Sequence, residues 1–134
     1  AHTPDGMDEV LKSFPNKEII CVFGAGGNRD ALKRPLMGEV AKKYSKHIVV
    51  TSDNPRFEEP KKIIEDILNG IDDKSNVIVI EDRKEALKKA ISLANDKSVV
   101  LILGKGDESA QIIGDKKFEF SDKDEVLKIL EVRD

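Results

Sequence analysis

The sequence predicts an α/β domain of the Rossmann-like, three-layer kind, with a mostly parallel sheet and helices on both faces. Two observations carry that reading. Four short apolar runs, EIICVF (18–23), HIVVT (47–51), NVIVI (76–80) and SVVLIL (98–103), lack the alternation of strands wetted on one side. They read as strands covered on both faces, as parallel sheets require. Stretches with apolar residues at helical spacing separate them, so the connections are crossover helices, and right-handed crossovers distribute helices over both faces. An antiparallel hairpin is expected at the sheet edge.

Taken in order, Thr3 and Pro4 suit a helix cap and first helical position. Met7, Val10, Leu11 and Phe14 follow at helical spacing until Pro15 and Asn16 stop the pattern. After the first strand comes a glycine-rich loop, Gly24-Ala25-Gly26-Gly27-Asn28-Arg29-Asp30, then a helix from about Pro35 with Leu36, Met37, Val40, Ala41 and Tyr44 on one face. The second strand leads into Ser52-Asp53-Asn54-Pro55-Arg56. Pro60 opens a helix with Ile63, Ile64, Ile67 and Leu68 inward, and Gly70 stands where a C-terminal glycine is expected. Asp82 caps the helix carrying Ala86, Leu87, Ala90, Ile91 and Ala94 before the fourth strand. Gln111–Ile113 and Lys117–Phe120, joined by Gly114-Asp115, form the hairpin, and Ser121 or Asp122 caps a last helix with Val126, Leu127, Ile129 and Leu130.

Bulk properties narrow the classes of function. A chain of 134 residues is one domain with room for a real core. Hydrophobic residues at 39% and charged residues at 37% describe an ordinary globular chain with a heavily charged surface. A net charge of -3 argues against a general nucleic-acid or membrane surface, and no apolar run is long enough to span a bilayer. The single cysteine, Cys21, lies in an apolar run and reads as a buried thiol in a reducing cytosol. His2 and His47 are too few for a histidine-based metal site, and no metal site is expected. The opening Ala1-His2-Thr3-Pro4-Asp5, with no initiator methionine, suggests a piece of a longer protein.

In a parallel sheet, ligands bind outside the carboxyl ends of the strands. The loops at Gly24, Ser52 and Gly104 each follow a strand, so all three should open on one edge. Pro55 stiffens its loop and drives Asn54 out of the helical region. A stiff loop holding an acid, an amide and a guanidinium suits a zwitterion, with Arg56 for a carboxylate and Asp53 and Asn54 for an ammonium. Taken alone, such a tetrapeptide is also an ordinary proline turn with solvated charges. The glycines admit either close approach to a ligand or a plain tight turn.

Several nucleotide motifs almost fit and fail. The Gly24–Arg29 segment has Arg29 where a dinucleotide fingerprint needs its third glycine. Gly104-Lys105-Gly106 lacks the upstream glycine and the following Ser or Thr of a phosphate loop, so the chain has no device of its own of that kind for ATP.

The ordered set AHTPD, GxGGxRDxxKRPLMGE, VVTSDNPR and GKGxExxQIIG resembles the C-terminal domain of the Mur ligases, in particular the branch that adds the third, diamino acid of the peptidoglycan stem peptide. The resemblance spans the whole of residues 1–134. It implies a three-domain cytoplasmic parent, monomeric, whose central domain carries ATP and Mg2+ and whose remaining domain holds the UDP-muramoyl-dipeptide. The implied reaction is ADP-forming amide synthesis, with this domain bringing in the amino acid and inactive alone.

Carried over by position, the resemblance implies that Asn54 and Arg56 bind the distal carboxylate of the diamino acid and Asp53 its distal ammonium. Gly104 and Glu108 would also hold that amino group, and Arg29 would meet the carboxylate at the reacting end. His2, Lys33 and Arg34 would lie near the nucleotide. No catalytic residue is implied within this chain. Arg56 points to meso-diaminopimelate over lysine, which has no distal carboxylate, while lanthionine would satisfy the same charges. The chain departs from the family at Asp107 and Ala110, where histidine and tyrosine are usual, and at Asn28, where aspartate is common. The alternatives are a stand-alone, non-catalytic ligand-binding α/β module, or the corresponding domain of a folylpolyglutamate-synthetase-like ligase, which would not need the DNPR loop.

Overall fold

A computed structural model of the chain describes residues 3–27, 31–53, 55–103, 110–113 and 116–119. The expected alternation is present: α1 (Pro4–Lys12), β1 (Glu18–Phe23), a short 3-10 turn (Ala31–Lys33), α2 (Arg34–Tyr44), β2 (His47–Val50), α3 (Pro60–Leu68), β3 (Val77–Val79), α4 (Arg83–Leu93), β4 (Ser98–Ile102), β5 (Ala110–Ile113) and β6 (Lys116–Glu119). The first four strands form one wholly parallel sheet in the order β3-β2-β1-β4. The chain builds outward from β1 through β2 to β3 and then crosses to the other side of β1. The strand order therefore reverses between β1 and β4, the place where open α/β sheets bind their ligands.

Alternate residues of β1 serve opposite layers. Ile19, Cys21 and Phe23 join Met7, Leu11, Met37, Ala41, Ile63, Ile64 and Ile67 in the core under α1, α2 and α3. Ile20 and Val22 face the other way and pack with Val49 and with Ala86, Leu87, Ala90 and Ile91 of α4. Each fully buried aliphatic side chain contributes roughly 1.5–3 kcal/mol, so β1, with Ile20 to Phe23 wholly inaccessible, anchors both cores. The cap assignments at Thr3 and Asp82 hold. Thr3 Oγ1 accepts from the Gly6 amide at 3.0 Å, and Asp82 Oδ1 accepts from the Lys84 amide at 2.9 Å. The Tyr44 hydroxyl donates to Asp8 Oδ1 at 2.8 Å, joining α2 to α1.

Three sequence expectations are corrected. Leu36 is 48% exposed, because the buried stripe of α2 runs through Arg34, Met37, Gly38 and Ala41 and Leu36 lies on the opposite side of the turn. Strand β3 is not buried on both faces; it is the outermost strand, and Val79 is exposed. The hairpin β5–β6 pairs antiparallel as expected, with Gln111 opposite Phe118, but it forms a sheet of its own. Among the described residues it does not extend the edge of the parallel sheet. Gly70 follows the C-cap Asn69 of α3, as expected, though without a left-handed φ; a Cβ there would fall 1.8 Å from the Pro35 carbonyl oxygen, so glycine lets the end of α3 lie on the start of α2. The expected final helix and the Gly114-Asp115 turn lie outside the described residues. Cys21 is buried, as expected, and burial pushes its thiol pKa up to about 12. Among the described residues no helix is long and apolar enough to cross a membrane.

Candidate functional site

Because β1, β2 and β4 run parallel, their carboxyl ends share one edge, and the loops at Gly24 and Ser52 leave from it, while the Gly104 loop lies outside the described residues. At that edge the first two loops form a single unit. A Cβ on Gly24 would lie 2.3 Å from the Thr51 carbonyl oxygen and 3.0 Å from the Asp53 amide nitrogen. A Cβ on Gly27 would lie 1.7 Å from the Pro55 carbonyl oxygen. Both separations are far below van der Waals contact, so only glycine permits this approach. Sequence reading offered a ligand or a tight turn as the reason for these glycines. The geometry gives a third: the backbone of the neighbouring loop occupies the space.

The second loop leaves β2 with Thr51 fully buried, its amide donating to Phe23 O at 2.9 Å and its hydroxyl to Glu81 O at 3.2 Å. Asp53 follows, buried at 3% exposure, so its carboxylate sits beneath the loop and not out in solvent. The chain then turns tightly, the Glu58 amide donating to the Pro55 carbonyl at 2.9 Å. Arg56 lies inside that turn with φ of +54°, the one non-glycine residue with positive φ among those described. A side chain in the left-handed region costs about 1–2 kcal/mol per residue, and such costs persist where the surroundings impose the conformation. Here the Arg56 guanidinium donates from Nη1 to the Gly27 carbonyl at 3.1 Å. The arginine is thus aimed along the glycine-rich loop.

Arg34 differs from its sequence reading. Its guanidinium is 2% exposed and committed to protein acceptors. Nη1 and Nη2 donate in parallel to Glu58 Oε2 and Oε1 at 3.0 and 2.9 Å, Nη1 also reaches Asp66 Oδ2 at 2.9 Å, and Nη2 reaches the Gly26 carbonyl at 3.1 Å. The Glu58 hydrogen bonds, assisted by Asp66, hold this cation charged against the cost of burial. A fork so engaged ties loops together. Lys33, by contrast, is exposed on the short turn just before α2. Lys62 Nζ braces Asp66 from the other side, at 3.0 Å from Oδ1.

Arg83 was not singled out in the sequence and belongs to the same edge. It is 1% exposed at the first turn of α4, and donates to Ser52 O at 2.9 Å and Leu103 O at 3.4 Å. It therefore joins the second residue after β2 to the residue after β4, across the end of β1. The available signal was position: Arg83 falls on the stripe of Ala86, Leu87 and Ala90, and Arg34 on that of Met37 and Ala41. A charge on an apolar stripe must find buried partners. Nothing comparable marked Glu58. His2, Arg29, Asn54, Gly104 and Glu108 lie outside the described residues. The structure thus brings Asp53 and Arg56 onto one edge with the glycine-rich loop. Among the described residues no three His, Cys, Asp or Glu side chains cluster as a metal site would require.

Parallel strands, a reversal beside β1 and a proline loop presenting Arg56 set the terms for comparison with known proteins. Residues 1–106 match the family described as "Mur ligase, glutamate ligase domain". The chain belongs to that family. Among curated relatives, it is 55% identical over 133 residues to the UDP-N-acetylmuramoyl-L-alanyl-D-glutamate–2,6-diaminopimelate ligase of Aquifex aeolicus, and 54% identical over 128 residues to that of Helicobacter pylori. Those alignments cover 97% and 96% of this chain and 28% of each relative. A solved structure of a ligase with the same description superposes with a TM-score of 0.92 at 39% identity, over 99% of this chain and 28% of that one. The chain thus spans little more than a quarter of the length of the relatives it matches, and the three-layer fold is that of this Mur ligase domain.

Proposed function

We propose that residues 1–134 form the C-terminal, amino-acid-binding domain of a three-domain, ATP-dependent ligase. The enzyme adds meso-diaminopimelate, or a similar dicarboxylate such as lanthionine, to UDP-N-acetylmuramoyl-L-Ala-D-Glu in peptidoglycan synthesis. It works in the cytoplasm as a monomer. The observation that carries the reading is Arg56, set in a left-handed turn against the glycine-rich loop, in a chain 55% identical to a relative described as a diaminopimelate ligase.

ATP and Mg2+ supply activation of the dipeptide's terminal carboxylate as an acyl phosphate. This chain has no phosphate loop and, among its described residues, no cluster of metal-ligating side chains, so both are assigned chiefly to the central domain. What remains for this chain is delivery of the nucleophile. Arg29 holds the carboxylate at the reacting end, leaving the neighbouring amine to attack the acyl carbon. The amide C–N bond forms, phosphate leaves and the amine loses its proton. Arg56 and Asn54 hold the distal carboxylate, and Asp53, Gly104 and Glu108 the distal ammonium. His2 and Lys33 lie toward the nucleotide. Closure of this domain over the central one keeps water from the acyl phosphate.

The test uses the full-length parent with ATP, Mg2+ and the UDP-muramoyl-dipeptide, comparing meso-diaminopimelate, lanthionine and L-lysine as acceptors, with Arg56→Ala alongside. A dicarboxylate preference that falls by about a hundredfold in the variant is the expected result, because a lost partner leaves a charge unpaired in a closed site. Equal use of lysine, or an indifferent variant, would remove Arg56 from the role.

A further inference from the structure

The strained turn at Arg56 is held from outside itself. The Glu58 amide closes it by donating to the Pro55 carbonyl at 2.9 Å, and Arg56 takes its second position at a φ of +54°. Positive φ at that place in a turn normally goes to glycine, asparagine or aspartate, so an arginine there needs surroundings that impose the conformation. Arg34 supplies them. Its buried guanidinium grips both Glu58 carboxylate oxygens, at 3.0 and 2.9 Å, at the far end of the turn. The same fork takes the Gly26 carbonyl at 3.1 Å, one residue before Gly27, whose own carbonyl accepts from Arg56 Nη1. The near end of the turn is fixed by contact, since a Cβ on Gly27 would lie 1.7 Å from the Pro55 carbonyl oxygen. Backbone and head group of Arg56 are thus both tied to one buried cation. A fork-to-fork pair has fixed geometry as well as energy, and a desolvated guanidinium does not readily leave its carboxylate.

We infer that Arg34 and Glu58 are positioning residues for Arg56: their buried pair holds the left-handed turn that presents the Arg56 guanidinium to the distal carboxylate of the amino acid. The inference rests on the diamino acid reading above. Both residues act through Arg56 and not by touching the substrate. Such a role has a signature that loss of stability alone lacks. Removing the pair matters while Arg56 is present and ceases to matter once Arg56 is gone, because residues that act as one unit do not add. Asp66 provides the internal control. It also pairs with Arg34, at 2.9 Å, but it sits on α3, outside the turn.

The experiment takes the full-length enzyme and its Glu58→Gln, Arg34→Lys, Asp66→Asn and Arg56→Ala variants, with Glu58→Gln and Arg34→Lys each also combined with Arg56→Ala. Arg34→Lys keeps the charge but has no fork to span two oxygens. Measured for each are KM and kcat with meso-diaminopimelate, KM for ATP, and Tm. Misplacement of a positioned group by about 1 Å costs on the order of a hundredfold, so partial loosening in Glu58→Gln or Arg34→Lys is expected to raise KM for meso-diaminopimelate about tenfold. KM for ATP should stay unchanged. Arg56→Ala should lower kcat/KM about a hundredfold, and each double variant should match Arg56→Ala alone within about threefold. Asp66→Asn should lower Tm while keeping KM for meso-diaminopimelate within about threefold of the wild-type value. Losses that add in the double variants would make the pair merely structural and overturn the inference. So would a folded Glu58→Gln enzyme with unchanged KM for meso-diaminopimelate, or an equal rise in Asp66→Asn. An Arg56→Ala enzyme that uses meso-diaminopimelate as well as wild type is a separate outcome: it overturns the substrate reading first and this inference with it.

Discussion

Arg34 and its two carboxylates show what a single buried charge demands of its surroundings. Burial disfavours the ionised Asp66 carboxylate, but hydrogen bonds from Lys62 and Arg34 outweigh that cost and hold its pKa below the ordinary 3.8. A carboxyl whose folded-state pKa is depressed adds stability that is fully present above its unfolded value and is lost as pH falls through the folded one. The Asp66 contribution is therefore constant at neutral pH and drains away below about pH 4. Asp66→Asn should lower stability at pH 7 by about 1.5–3 kcal/mol, the range for a hydrogen bond to a charged group. It should also flatten the fall in stability between about pH 4 and pH 2. Urea denaturation at a series of pH values checks both, and parallel curves for wild type and variant would contradict the assignment. The sequence disclosed the acceptor side of this chemistry poorly. Arg34 sits on an apolar stripe and so announces a buried charge, whereas Glu58 lies in a loop and Asp66 on a half-exposed turn of α3, with nothing local to mark either.

At the scale of elements, the strands, the caps and most apolar stripes were legible, because period and capping chemistry are properties of a few adjacent residues. What the sequence left open depends on what an element meets. Val79 belongs to an apolar run like that of β1, and only the strand order makes it an edge. Gln111 to Ile113 pair as a hairpin, but no local signal says which sheet, if any, they join. The glycines are the clearest case. Gly24 and Gly27 were legible as close-approach residues, while the object approached, the Thr51–Pro55 backbone, was not. That identity is testable at the element it controls. In Gly27→Ala the new methyl would stand 1.7 Å from the Pro55 carbonyl, so the loops must part. Overpacking of this kind costs about 1–3 kcal/mol, to be read as a lower Tm. Because the parting releases Arg56 from the Gly27 carbonyl, KM for meso-diaminopimelate in the parent should rise while KM for ATP stays put. A variant with unchanged Tm and KM would mean that the two loops do not touch as described.

For the whole molecule, the sheet order β3-β2-β1-β4 places a strand reversal beside β1 and brings the carboxyl ends of β1, β2 and β4 to one edge. Arg83 then ties the ends of β2 and β4 together beneath that edge. Both cores hang from β1, so the platform under the loops is rigid on both faces. Such a platform can hold an amino acid at two separated ends, but phosphoryl transfer needs groups that cradle the transferred phosphate and its metal. The sequence offers no phosphate loop for that purpose. The 134-residue chain by itself, given ATP, Mg2+, the UDP-muramoyl-dipeptide and meso-diaminopimelate, is therefore expected to release no ADP above the blank, although cooperative urea unfolding shows it folded. The full-length parent under the same conditions should release ADP in step with amide formation. ADP production by the isolated chain would contradict the division of labour, since it would require a nucleotide site built from this chain's own residues, with Lys33 on the exposed turn before α2 as the first side chain to replace.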